Sequence, residues 1–161
     1  MGQNKLEQDI QAYFQNIQAI DNLYEEYARK NGLTYMSLYV LETIYEQEKC
    51  TQKLISEITL YPKQTVNMVI RSFLKRGWVL FEQDESDRRN KYVKLTDSGE
   101  IFAKKVVEPY WDAGCCAFGE LKKSERLILL RTLKTFTDSF VDKVKNISNA
   151  PKERNRYVDN S

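Results

Sequence analysis

The chain has 161 residues, enough for one domain with a hydrophobic core of its own. Its net charge of only +2 excludes a protein that attracts nucleic acid through overall charge, so any such attraction must come from local patches. Histidine is absent and there are 3 cysteines, which disfavours a structural zinc site. Because a glycine-rich phosphate loop is also missing, the sequence predicts a protein that is not an enzyme, with no catalytic residue, metal or cofactor.

The sequence contains no apolar run of the roughly 18 residues that a membrane helix needs, and no recognisable signal peptide. These features predict a cytoplasmic protein with reduced thiols and no membrane partner. The adjacent Cys115 and Cys116 are open to two interpretations, a structural role or oxidant sensing, and adjacent cysteines pair poorly with each other. The polar segment 148–161 is predicted to be a disordered tail.

A long amphipathic helix is predicted at the N-terminus, because apolar residues recur there in alternating steps of four and three residues. Gly32 is expected to end this helix. A second helix, from about Tyr35 to Gln47, is expected to be capped by Thr34. The apolar seam of the first helix consists of Leu6, Ile10, Tyr13, Ile17, Ile20, Tyr24 and Tyr27.

Residues 51–77 carry the pattern of a helix-turn-helix. Thr51 can cap a short helix, Pro62 suits the first turn of a second helix, and Gly77 can end that helix. The second helix has an apolar stripe on one face and polar side chains on the other. A polar face often means only solvation, but these side chains are of the types that read base edges or hold phosphates. The apolar stripe is Val66, Val69, Ile70 and Phe73, with Leu74 as a further candidate, and the polar residues are Lys63, Gln64, Thr65, Asn67 and Arg71.

A β-hairpin is predicted next, from the apolar run 78–81 to Leu95, with Arg88 and Arg89 near its tip. Thr96 can cap the helix that follows. An arginine on a protruding ribbon suits the narrow, electronegative minor groove of DNA. A charged hairpin tip in isolation could equally be a solvated turn, but directly after a helix-turn-helix it indicates a winged helix.

Two more helices are predicted in the C-terminal half, the second of them after a Ser124 cap. The helices at both ends of the chain have apolar faces that one small winged-helix domain cannot cover. Pairing with a second copy is therefore expected. The apolar residues of the C-terminal half are Ile101, Val106 and Trp111, then Leu127, Leu130, Leu133, Phe140 and Val144.

The sequence resembles the MarR (multiple antibiotic resistance regulator) family over roughly residues 6–147. The resemblance depends on the order helix-turn-helix, Gly77-Trp78-Val79, Asp87-x-Arg89 and Leu95-Thr96. In members of the family, a glycine and then aromatic or aliphatic residues follow the recognition helix. Their wing contains the motif Asp-x-Arg and ends with Leu-Thr. The chain departs from the family at Met68, where arginine is common, and at Asp84 and Glu85, which add negative charge to the wing.

The resemblance implies a mainly α (α+β) fold, with a winged helix-turn-helix over 34–99, a two-stranded β wing, and a helical dimerisation region from 1–33 and 100–147. It further implies a homodimeric, ligand-responsive transcriptional regulator, a repressor that binds a pseudo-palindromic operator in double-stranded DNA. In that arrangement helix 62–76 would enter the major groove, and Asp87 would position Arg89 for the minor groove. The DNA-binding residues would be Lys63, Gln64, Thr65, Asn67, Arg71, Arg88, Arg89 and Lys91.

The resemblance also implies a cleft for a small effector, phenolic or lipophilic, with Tyr13, Tyr35, Tyr39 and Trp111 as candidate lining residues. A rival interpretation belongs to another class of protein. The chain could be a winged-helix protein-interaction module or antirepressor that binds a partner protein instead of DNA, an interpretation that Met68 and the acidic wing residues favour.

Overall fold

The structure is a computed structural model that describes residues 2–83 and 91–149. These residues form six helices and a two-stranded antiparallel sheet, so the predicted mainly helical fold with a β wing is confirmed. The helices are α1 (Gly2–Lys30), α2 (Tyr35–Glu46), α3 (Gln52–Thr59), α4 (Lys63–Lys75), α5 (Asp97–Gly119) and α6 (Lys123–Asn149), and the strands are β1 (Val79–Gln83) and β2 (Lys91–Leu95). Within the described residues, no helix has the length and apolar character to cross a membrane.

The chain divides into two compact units, Met1–Asp112 and Ala113–Ser161. The core lies in the first unit, where the fully buried side chains include Phe73, Leu38, Leu41, Ile55 and Ile70. Four residues of the predicted α4 stripe are buried, and the further candidate Leu74 is partly buried. Burying a side chain of this size stabilises the fold by about 1.5–3 kcal/mol. The core therefore fixes α4 against the other helices with its polar face outward.

Short polar side chains set the beginnings of α2 and α3, as the sequence predicts. The Thr34 hydroxyl accepts a hydrogen bond from the Ser37 backbone N–H at 3.2 Å, and the Thr51 hydroxyl accepts one from the Leu54 N–H at 3.1 Å. Each cap satisfies a backbone donor that the helix itself leaves unpaired. It contributes about 1 kcal/mol to the stability of the fold.

Two predicted helix starts are wrong by one or two residues. Pro62 is the N-cap of α4 and makes no side-chain cap, whereas the sequence placed it in the first turn. Helix α6 begins at Lys123, so Ser124 lies inside it. There the Glu125 carboxylate accepts a hydrogen bond from the Lys122 backbone N–H at 2.7 Å, as the glutamate of a capping box does.

The second unit contains α6 and the end of α5. Its large apolar side chains are exposed: Leu127 is 60% accessible, Leu130 54% and Ile147 75%. Helix α6 runs to Asn149 and so includes the first two residues of the predicted tail, and the remainder of that tail lies outside the described residues. Single-chain packing thus leaves the apolar residues of α6 in contact with water.

Candidate nucleic-acid interface

The turn between α3 and α4 is held by hydroxyl groups. The Thr59 hydroxyl donates to the Ile55 carbonyl at 2.6 Å and accepts from the Tyr61 backbone N–H at 3.3 Å. The Ser56 hydroxyl donates to the Tyr61 carbonyl at 2.6 Å. Between them Leu60 adopts a left-handed conformation, with φ of 59°. These contacts fix the geometry at which the second helix leaves the first, which a helix-turn-helix requires.

The outward face of α4 is polar, as predicted. Lys63, Gln64 and Arg71 are exposed, whereas Thr65 and Asn67 are half-buried. Met68 interrupts this face with an apolar side chain that is 61% exposed. The face therefore offers charged and amide groups for base edges and phosphates, together with one apolar group that could contact a thymine methyl.

A groove of about 440 Å³ lies between α4 and the base of the wing. It brings together three of the predicted residues, Asn67, Arg71 and Lys91, and adds Gln52 from the start of α3. The Asn67 side-chain amide donates to the Gln52 side-chain oxygen at 3.4 Å. Sequence reasoning missed Gln52, although its place directly after the Thr51 cap puts it at a helix start that could face phosphate. The apolar lining of the groove is Ile70, Leu74 and Phe81.

The wing is a regular antiparallel hairpin at its base. Val79 pairs with Leu95 and Gln83 pairs with Lys91. Cys50 forms an isolated β-bridge to the second strand, in which its carbonyl accepts a hydrogen bond from the Val93 N–H at 2.7 Å. Val79 and Val93 are buried, so the base of the wing is fixed to the core.

The link from α4 to the wing depends on Gly77, which has a φ of +69°. The Trp78 N–H donates to the Phe73 carbonyl and the Gly77 N–H donates to the Leu74 carbonyl, both at 3.0 Å. This is the hydrogen-bond pattern of a Schellman motif, in which glycine takes the left-handed position without steric cost. The predicted glycine stop of α4 is therefore confirmed.

The residues that follow β2, the second strand of the wing, form hydrogen bonds to Gly77 as well. The Thr96 hydroxyl donates to the Gly77 carbonyl at 2.6 Å and accepts from the Gly99 N–H at 3.1 Å. A side chain at Gly99 would overlap the Trp78 carbonyl, so only glycine fits there. The Trp78 ring stacks on Phe102 at a centroid distance of 4.0 Å. The Leu-Thr-x-x-Gly segment thus joins the wing, the end of α4 and the start of α5.

The tip of the wing lies outside the described residues. Asp87, Arg88 and Arg89 therefore stay predictions. At the base, Lys94 forms an ion pair with Glu82 at 3.2 Å, while Lys91 lines the groove.

Of the four predicted effector residues, the structure brings two together. The rings of Tyr35 and Tyr39 stack at 6.5 Å. Tyr13 makes its described ring contact with Phe14, and Trp111 is 53% exposed. The stacked pair belongs to a larger group, here called the tyrosine cluster, in which each ring lies within 6.5 Å of the next. Its members are Tyr24, Tyr27, Tyr35, Tyr39, Tyr61 and Tyr110.

An acidic group adjoins the tyrosine cluster. Glu42 is 8% exposed, and burial, followed by the charge of Glu46, raises the pKa of its carboxyl to about 7. Burial also raises the pKa of Tyr35 to about 12, with smaller contributions from Tyr61 and other neighbours. Sequence reasoning missed Glu42, Tyr61 and Tyr110 because they come from three distant parts of the chain.

Two helices joined by a fixed turn, with an antiparallel hairpin anchored behind the second, define a winged helix-turn-helix protein. The model of the MarR family matches residues 31–90, the segment that holds α2, α3, α4 and β1, the first strand of the wing. Over this segment the chain resembles the MarR family of transcriptional regulators.

Among its relatives, the HTH-type transcriptional regulator SarZ of Staphylococcus epidermidis is 27% identical over 122 residues, which cover 74% of this chain and 80% of SarZ. The MarR family regulator NMB1585 of Neisseria meningitidis has a similar fold, with a TM-score of 0.71 at 23% identity, covering 86% of this chain and 97% of that one. The MepR–DNA complex of Staphylococcus aureus aligns with a TM-score of 0.68 at 16% identity, covering 80% and 94% of the two chains.

Proposed function

We propose that this protein is a DNA-binding transcriptional regulator that acts as a homodimer on a pseudo-palindromic operator. The observation that carries the proposal is the groove in which Asn67 and Arg71 of the second helix meet Lys91 of the wing. A groove with amide and cationic side chains on a protruding helix and an adjacent hairpin suits the edges and phosphates of a duplex. The solved complex of the structurally similar MepR with DNA supports this assignment.

Within that proposal the residues take different roles. Lys63, Gln64, Thr65 and Asn67 lie nearest the bases in the major groove, because they occupy the N-terminal half of the helix's outward face. Arg71, Lys91 and Arg88 contact phosphates. Arg89 reaches the minor groove, and Asp87 holds it by a charge-assisted hydrogen bond.

The exposed apolar residues support a dimer. Along α6, Leu127, Leu130, Phe140 and Val144 are each more than a third exposed, and on α1 Leu6 and Ile20 are exposed as well. Each square ångström of apolar surface removed from water contributes about 25 cal/mol, so covering these side chains with a second copy is strongly favoured. Segments 1–33 and 100–147 form the dimerisation region in this proposal, and 34–99 the DNA-binding region.

The regulator is proposed to be a repressor whose DNA binding responds to a small phenolic or lipophilic effector, and to have no catalytic activity. The tyrosine cluster supports an effector site, since half-buried rings give an apolar surface edged with hydroxyl groups. Of the four residues predicted from the sequence, Tyr35 and Tyr39 belong to this site.

A gel-shift titration on DNA selected from a random pool by the full-length protein tests the proposal. Asn67→Ala is expected to weaken binding to the selected sequence more than binding to random DNA, because an amide can address base edges. Lys91→Ala is expected to weaken both alike and to lower the salt slope by about two units, because each protomer of the dimer loses one phosphate contact.

Lys134→Ala is the matched control, since it removes a cation on α6 that pairs with Asp138 at 2.8 Å. This variant should bind DNA as the wild type does. If no sequence is enriched and the three variants behave alike, the chain is the protein-interaction module instead.

A further inference from the structure

The outward face of α4 carries one large apolar side chain among polar ones. Met68 is 61% exposed, and no other large apolar side chain of Lys63–Lys75, all of which the structure describes, is exposed. The remaining large apolar residues of this helix are buried or half-buried. The packing of the core therefore does not explain a methionine at this position.

The neighbours of Met68 on the helix surface are polar and exposed. Gln64 lies four residues before it and Arg71 three residues after it, and side chains at these spacings are neighbours on one face of a helix. Along the helix axis they lie about 6 Å and about 4.5 Å from Met68. In the proposed function Gln64 lies at the base edges and Arg71 contacts a phosphate. Because Met68 lies between them, a duplex that contacts both also covers Met68.

The base that covers Met68 must suit an apolar side chain. In the major groove adenine, guanine and cytosine present hydrogen-bond donors and acceptors, whereas thymine also presents its C5 methyl group. A thioether is at most a weak acceptor, so donors and acceptors buried against Met68 would lose water without gaining a partner. Contact with the methyl group instead removes two apolar surfaces from water. The unbranched methionine chain has three rotatable bonds and can adjust to reach that methyl group.

The surroundings of Met68 favour DNA over a partner protein as the surface that covers it. The buried centre of a protein interface is apolar and poor in charged residues. The exposed neighbours of Met68 are instead an amide and a cation, and a second cation, Lys75, lies seven residues further along the same face. Amide and cationic groups suit base edges and phosphates.

We propose that Met68 is a specificity-determining residue that selects thymine at one position of each operator half-site, through apolar contact with the C5 methyl group. The proposal rests on the proposed function and names one base that α4 selects. Thymine is preferred over the other three bases because only thymine offers an apolar group at that edge.

Replacement of thymine by deoxyuridine tests the proposal one methyl group at a time. Uracil pairs as thymine does and lacks only the methyl group. The operator selected from the random pool would carry deoxyuridine at each thymine in turn, and fluorescence anisotropy would measure binding of the full-length protein. At one position of the half-site, the wild type is expected to lose about fourfold in affinity for each methyl removed, the value for one buried group of that size, and more than about tenfold when both half-sites are changed.

Two alanine variants assign the effect to a side chain. Met68→Ala should fold as the wild type does, because the side chain is exposed, but should bind the operator more weakly and respond less than about twofold to uracil at that position. The control Met36→Ala removes the same kind of side chain from α2, where it is 41% exposed, and should keep the wild-type affinity and the full response to uracil. A wild type that is insensitive to every thymine methyl, or a Met68→Ala variant with the full response, would overturn the proposal.

A third variant should change the selected base. Arginine donates two hydrogen bonds to guanine, so Met68→Arg is expected to select guanine in place of that thymine from the same random pool. Retention of the thymine by this variant would contradict the proposal. Failure of the proposed function looks different, because the wild type would then enrich no sequence at all and both proposals would fall. An enriched operator without a methyl effect that depends on Met68 would overturn the thymine assignment alone.

Discussion

The region around α4 and the wing differs from α6 in the burial of its apolar side chains. Phe73, Ile70 and Val66 on α4 are buried within a single chain. On α6, Leu127 and Leu130 are more than half exposed in that same chain. The comparison indicates that the first unit has a core of its own, whereas the single chain leaves these apolar side chains of α6 uncovered.

The largest effect is expected in the core of the first unit. Phe73→Ala should lower the free energy of unfolding by about 3–5 kcal/mol, because it leaves a cavity where the ring is fully buried. Urea denaturation followed by circular dichroism would measure this. The control Lys53→Ala, at a side chain that is 76% exposed on α3, should cost less than about 1 kcal/mol. Similar costs for the two variants would mean that the core lies elsewhere.

A charge on α6 should act on assembly instead of on the core. Leu130→Glu is expected to produce a monomer with little operator affinity, because an unpaired charge is poorly tolerated in an apolar interface. Sedimentation would report the mass and a gel shift the affinity. Thr135→Glu adds the same charge at a polar position and should remain dimeric. A folded Leu130→Glu monomer that binds the operator as tightly as the wild type would contradict the dimer proposal.

The wing allows a comparison of its base with its tip. Thr96 and Gly99 fasten the base, but a hairpin tip contributes little to a core, so Arg89→Ala should leave folding and dimerisation unchanged. If Arg89 enters the minor groove, the substitution should cost on the order of 1–3 kcal/mol of operator affinity. A fluorescence-anisotropy titration that gives wild-type affinity would exclude this role for Arg89.

A smaller effect should appear in the pH dependence of stability. The Glu42 carboxyl has a folded-state pKa of about 7, above its ordinary value of 4.5, so folding favours its protonated form. Its contribution is greatest below pH 4.5, is lost as the pH rises to about 7, and stays constant above that. Glu42→Gln should therefore be more stable than the wild type at pH 8 by on the order of 1–2 kcal/mol, with the difference vanishing near pH 4.

Thermal unfolding of both proteins between pH 4 and pH 8 would measure this difference. The charged and titratable neighbours Glu46 and Tyr110 are unchanged in the variant. A difference in stability that is independent of pH would mean that Glu42 ionises at its ordinary pKa in the folded protein.

Much of the fold follows from local signals. Thr34, Thr51, Gly77 and Thr96 mark helix ends because their effects act within a few residues along the chain. The starts of α4 and α6 differ from the prediction because a proline or a serine can fit more than one position near a helix start.

The candidate sites were only partly predictable for a different reason. The polar face of α4 follows from helical periodicity, so the prediction included Asn67 and Arg71. The tyrosine cluster joins residues of α1, α2 and α5, and no local pattern links Tyr24 to Tyr110. Glu42 lies in α2 between Leu41 and Thr43, and only the packing of the helices shows that its side chain is buried.

Hydroxyl-radical footprinting of the full-length protein on its selected DNA tests the central proposal most directly. A dimer that inserts one α4 and one wing per half-site should protect two symmetric half-sites whose centres lie about one duplex turn, roughly 34–36 Å, apart. Minor-groove protection should flank each of them. A single protected half-site, or uniform weak protection without a repeat, would contradict the dimeric winged-helix mechanism.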